Sequence, residues 1–89
     1  MENRILEILK KIRPEFDFST SEDFIEDGYL DSFDVVTIVS ELEDEYGIII
    51  DGLEVLPENF VNIEKIKELV VKSGGKEWSL NFRESELME

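Results

Sequence analysis

The chain has 89 residues, 42% hydrophobic and 10% aromatic, enough for one small folded domain with one modest core. It holds no Cys and no His, which excludes a disulfide framework, a thiolate metal site, a thiol nucleophile and any Ser-His pair, so an independent hydrolase does not fit. Nine basic residues against 23 acidic ones give a net charge of −14, a field that repels nucleic acid and anionic membrane and speeds encounter with basic protein surfaces.

Residues 2–13 read as a helix. Ile5, Ile8, Leu9 and Ile12 form an i, i+3, i+4, i+7 stripe, and Lys10, Lys11 and Arg13 suit its carbonyl end. Pro14 stops it, because a residue before proline is pushed out of the helical region. Residues 14–30 form a long connection carrying Phe16, Phe18, Phe24, Ile25 and Leu30. Loops of this length are uncommon in compact domains unless functional. Here the aromatics read as core that pins the loop across the helices, and Ser19, Thr20 and Ser21 as caps for a short turn.

The turn signal Asp27-Gly28 leads to a central helix from Ser32 to Tyr46, ended by Gly47. Val36, Val39, Leu42 and Tyr46 recur at steps of three, three and four and are expected to face the core. Asp34, Thr37, Glu41, Asp44 and Glu45 make the opposite, acidic face. Phe33 and Val35 fall off the core stripe and are expected at the surface beside the helix start.

Ile48-Ile49-Ile50 is β-branched but has no partner run of comparable quality, so it reads as an extended segment entering the core. Asp51-Gly52 is a turn. Pro57-Glu58-Asn59-Phe60 predicts a short helix with proline in its first turn, burying Phe60. Asn62 caps a last helix over 63–72, with Ile63, Ile66, Leu69 and Val70 as its stripe and Gly74-Gly75 as its stop. The fold expected is all-α: a small bundle of three main helices and one short one with a long first loop. The tail, 74–89, places Trp78, Leu80 and Phe82 at every second position. A stray strand, a segment docking on the domain, a disordered tail and an appended sequence all remain open for it.

The charge is unevenly placed. Between Pro14 and Glu64 there are sixteen Asp or Glu and no Lys or Arg. No segment approaches the roughly 18–20 apolar residues that span a bilayer. The first residues lack the basic-then-apolar pattern of a signal peptide, so the cytoplasm is the expected compartment and membrane insertion is not expected.

Gly28-Tyr29-Leu30-Asp31-Ser32-Phe33, opening a helix that continues Val36, Val39, Leu42, Glu43 and Tyr46, resembles the modification site of acyl carrier proteins. Phe24-Ile25-Glu26-Asp27 upstream, and the order of short helix then closing helix downstream, are also similar. The resemblance covers residues 2 to about 73 and implies a carrier domain over 1–73. It implies phosphopantetheine, from coenzyme A, joined to the Ser32 oxygen as a phosphodiester, with a terminal thiol holding acyl or aminoacyl groups as thioesters. Asp31 stands where the family places a residue that helps the transferase and its Mg²⁺. Phe33 replaces the usual leucine. The resemblance assigns Phe33, Asp34, Val35, Glu41, Glu43, Asp44 and Glu45 to the partner-facing surface.

The partners it implies are a phosphopantetheinyl transferase, an acyl- or aminoacyl-activating ligase and acyl-accepting enzymes with basic surfaces. No catalytic group and no bound metal are needed on such a carrier, and a monomer is expected. The Gly-x-Leu-Asp-Ser-Phe form, with Glu41-Leu42-Glu43 and Pro57-Glu58-Asn59-Phe60, looks most like D-alanyl carrier proteins and stand-alone carriers of small biosynthetic clusters. The stretch Ile48–Leu56 is slightly longer than in fatty-acid carriers and lacks their proline.

Two other readings compete. Asp31-Ser32 is also an ordinary helix-capping pair, which would leave an unmodified acidic module that binds basic partners. Taking Asp23 as the first position of a calcium loop puts Asp27 fifth, Gly28 sixth and Asp31 ninth. The third position would then be Ile25, with no side-chain oxygen, and the twelfth Asp34, shorter than the bidentate Glu such a loop requires.

Overall fold

The computed structural model describes residues 1–74. Helix α1 spans Glu2–Ile12, α2 spans Ser32–Tyr46 and α3 spans Ile63–Lys72. Single 3-10 turns lie at Phe18–Thr20, Gly52–Glu54 and Pro57–Phe60, and no strand is present among the described residues. The all-α bundle expected from the pattern is therefore the one formed, its short helix being the 3-10 turn at Pro57–Phe60. The notion of a docked or disordered tail concerns residues that, apart from Gly74, lie outside the described ones. Among the described residues no helix is long and apolar enough to cross a membrane.

Each boundary has a local cause. Arg13, just before Pro14, leaves the helical region at φ −131° and ψ 76°, which ends α1. Gly47 takes the left-handed conformation, φ 64° and ψ 39°, and its N–H returns to the Glu43 carbonyl at 2.9 Å. Asn62 accepts from the Lys65 N–H at 2.8 Å and starts α3.

Helices α1 and α2 run antiparallel. Arg4 meets Glu45 at 2.8 Å, Lys11 meets Glu41 at 3.0 Å, and Arg13 meets Asp34 at 2.9 Å, so ascending numbers on one helix pair with descending numbers on the other. The core between the three helices joins Ile5 and Leu9 of α1, Val35, Ile38 and Leu42 of α2, and Ile66, Leu69 and Val70 of α3.

The long first loop is part of that core. Phe18 and Phe24 are fully buried and meet edge to face at 5.0 Å, and Phe16 stacks on Tyr29 at 4.5 Å. The Phe24 N–H donates to the Val61 carbonyl at 2.7 Å, and the N–H groups of Tyr29 and Leu30 return to the Phe24 carbonyl at 2.9 and 3.0 Å. The loop is thus stitched to the chain entering α3 and delivers Leu30 into the core. Of the expected caps, Ser21 accepts the Asp23 N–H at the entry to the turn through Phe24, whereas Ser19 and Thr20 lie in a 3-10 turn that Asp17 caps.

After Gly47, Ile48 and Ile50 are buried while Ile49 is 85% exposed. The segment is extended and enters the core without a partner strand, as expected. The Glu43 carboxylate accepts the Ile50 N–H at 2.9 Å in place of a sheet neighbour.

One expectation about α2 is corrected. Its buried stripe is Val35, Ile38 and Leu42, with Val39 and Tyr46 half-buried, whereas Val36 is 61% exposed. The helix carries apolar residues at 33, 35, 36, 38, 39, 42 and 46, so two stripes, 35-38-42 and 36-39-42-46, both have helical spacing and share Leu42. Packing against α1 and the 3-10 turn at Pro57–Phe60 selects the stripe that contains Ile38. A direct check compares urea denaturation of two variants. Val35→Ala is expected to cost roughly 2 kcal/mol, and Val36→Ala to stay within about 0.5 kcal/mol of the parent.

Candidate functional site at the start of helix α2

The start of α2 is built from a reciprocal cap. Asp31 is the N-cap: its Oδ1 accepts the Asp34 N–H at 2.9 Å, and Asp34 Oδ2 accepts the Asp31 N–H at 3.1 Å. Arg13, the residue that ends α1, reaches over this cap. Its Nε and Nη2 both lie 2.9 Å from Asp34 Oδ2, Nη2 lies 3.5 Å from Asp31 Oδ2, and Nη1 lies 3.3 Å from Glu15 Oε2. The N–H of Asp34 chiefly holds the Asp31 carboxyl below its ordinary range, and Arg13 acts in the same direction.

Ser32 is the first residue of α2 and is exposed. Asp31 does the capping, so the Ser32 hydroxyl is not used for it. Neither Ser32 Oγ nor its N–H makes a hydrogen bond among the described residues. This is where the capping reading falls short: it accounts for the aspartate and leaves the serine without a structural task. Phe33, next in the chain, is 77% exposed.

The remaining expected surface residues divide. Asp34 is only 5% exposed and Val35 only 2%, so neither belongs to a partner-facing surface. Asp34 is drawn inward because its carboxylate closes the cap under Arg13, and Val35 because it belongs to the core stripe. Glu41 and Glu45 stay partly exposed but are paired with Lys11 and Arg4. Glu43 holds the Ile50 N–H, while Asp44 is exposed and has no partner among the described residues.

A calcium loop beginning at Asp23 is not formed. Asp23 Oδ1 accepts the N–H groups of Ile25 and Glu26 at 3.1 and 2.9 Å, Asp27 Oδ2 accepts the Ser21 hydroxyl at 2.7 Å, and Asp31 and Asp34 hold each other. Among the described residues no cluster of three or more His, Cys, Asp or Glu is arranged to hold a metal ion.

A family model described as the phosphopantetheine attachment site matches residues 3–70. The chain belongs to that family. Its members are non-catalytic carriers on which phosphopantetheine is covalently attached, modified by a phosphopantetheinyl transferase and met by acyl-handling enzymes. No curated protein and no solved structure shows significant similarity to the chain.

The residues at the start of α2 fit the group. An exposed hydroxyl with no internal partner stands at the N-terminus of a 15-residue helix, where unpaired N–H groups and the helix dipole favour a phosphate. The residue that sequence reasoning missed is Arg13, read only as a complement to the end of α1. The signal available was its position: it is the last base before an acid-only stretch.

Because the folded Asp31 carboxyl titrates below its ordinary value of 3.8, its contribution to stability is complete above that value and is lost as pH falls through the folded one. Carbon-detected NMR titration is expected to place its midpoint below that of the acid-unfolded chain. A midpoint at or above the unfolded one contradicts the cap geometry.

Proposed function

We propose that Ser32 bears the phosphopantetheine and that the domain over residues 1–73 presents a short acyl or aminoacyl group to partner enzymes of a cytoplasmic biosynthetic pathway. The observation that carries the assignment is the division of labour at the start of α2: Asp31 closes the cap, and the adjacent Ser32 hydroxyl is exposed and unbonded. When bound, the group supplies a thiol that holds the cargo as a thioester. The chain's own residues supply direction and recognition. The cap and the Arg13 contact fix the first turn, so Ser32 Oγ projects from a stationary base, which a transferring enzyme needs.

Phe33 gives that enzyme an apolar grip, and its 77% exposure in an acidic domain supports a partner contact. The acidic side chains beside it favour partners with basic surfaces. Of these, Asp44 is the unpaired one, and Glu41 and Glu45 contribute the exposed part of their charge.

Short cargo is favoured by the filling of the interior. Phe18, Phe24, Phe60, Ile38 and Leu42 are fully buried and occupy the space between the helices. An open recess of about 320 Å³ is lined by Leu6, Phe18 and Ile63 among others, and by no residue of α2. A small or polar acyl group needs no shelter and stays in solvent.

The test is intact mass after incubation with coenzyme A, Mg²⁺ and a broad-specificity phosphopantetheinyl transferase. A gain of one phosphopantetheine, absent in Ser32→Ala, is the expected result. No gain in the parent, or a gain that persists in Ser32→Ala, refutes the assignment. In the same assay Phe33→Ala is expected to raise the KM of the transferase for the carrier while its stability stays within about 0.5 kcal/mol of the parent. An unchanged KM would remove Phe33 from the contact.

A further inference from the structure

Arg13 lies far from Ser32 in sequence, yet it ends on the two carboxylates that flank the serine, Asp31 before it and Asp34 two residues after it. The arrangement is specific. Both Nε and Nη2 converge on Asp34 Oδ2 at 2.9 Å, a fork that a lysine cannot reproduce. That same oxygen accepts the Asp31 N–H, so one carboxylate atom joins the guanidinium to the backbone immediately before Ser32. Asp34 is also the one charged side chain buried among the described residues, and a buried carboxylate needs such a counter-ion.

We propose that Arg13 is a positioning residue for the modification of Ser32, acting through Asp34 and Asp31 rather than by touching the serine. It clamps the first turn of α2 onto the end of α1, so that the direction of Ser32 Oγ is set by the packing of two helices and not by one short turn. It also draws Asp31 Oδ2 to one side, toward a weak 3.5 Å contact, and the Asp31 side chain stays largely exposed for the transferase. An unclamped cap can still form, since the Asp31–Asp34 exchange needs no third residue. It would leave two neighbouring carboxylates uncompensated and the first turn free to tilt.

This inference rests on Ser32 being the attachment point, and the experiment separates the two. Transferase kinetics are measured on the full chain for the parent, Ser32→Ala, Arg13→Gln, Arg13→Lys and Ile66→Val. The last is a core change on α3, away from the cap, and serves as a control for lost stability. With the parent modified and Ser32→Ala silent, Arg13→Gln is expected to lower kcat/KM by roughly tenfold to a hundredfold, the range a displaced reacting group produces. Arg13→Lys, which keeps the charge without the fork, is expected to recover part of that loss, and Ile66→Val is expected to match the parent.

Parent-like kcat/KM in Arg13→Gln overturns the proposal. So does an Ile66→Val variant that slows as much, because the effect would then be one of stability alone. If the parent is not modified, or Ser32→Ala is, the attachment assignment itself has failed and the role of Arg13 falls with it.

Discussion

The contact between Arg13 and Asp34 joins the end of one helix to the beginning of the next. A carboxylate with almost no exposure is costly unless paired and hydrogen-bonded. Asp34 has both: the fork of Arg13 and the N–H of Asp31. The chain from 14 to 30 is long and irregular, and ordering it is opposed by conformational entropy. With its two ends tied by that pair, and its aromatic rings stacked against one another, the loop behaves as a part of the core instead of as a tether.

The same loop carries position to the start of α2. Val61 holds Phe24 by a backbone bond, Phe24 holds Tyr29 and Leu30 in turn, and Leu30 is buried immediately before Asp31. Three separate parts of the chain thus converge on one helical turn: the end of α1 through Arg13, the entry to α3 through Val61, and the core through Leu30. For a carrier the arrangement is economical. In the proposed carrier the attached arm does the reaching, and the protein's part is to hold the base of that arm by three contacts.

Much of this was legible in the sequence because the deciding chemistry is local. Pro14, Gly47 and Asn62 end or begin helices through their own backbone or side-chain properties, and the helix ends fall where those residues stand. The burial of Phe60 follows from apolar pattern alone, whereas the exposure of Ile49 between buried Ile48 and Ile50 does not, since the three residues are identical. What escaped was set by packing between distant segments. Two apolar stripes of helical spacing coexist on α2, and its packing against α1 and the 3-10 turn at Pro57–Phe60 decides that Val35 turns inward and Val36 outward. Asp34 sits on the polar side of a helical projection, but that projection ignores a guanidinium arriving from α1. Glu43 likewise reads as surface charge, while its carboxylate serves the backbone of Ile50. Acid-rich sequence does not distinguish a carboxylate that greets a partner from one that holds a loop.

Ser32 and Phe33 are consecutive, so their side chains diverge by about 100° around the helix axis. On the proposed assignment, an enzyme that seats the phenyl ring would approach the hydroxyl from one side, with the arm leaving beside the ring and not beneath it. The backbone that sets both directions is the first turn of α2, held by the Asp31–Asp34 exchange and by Arg13. Each partner that seats the ring would then meet the arm from the same side.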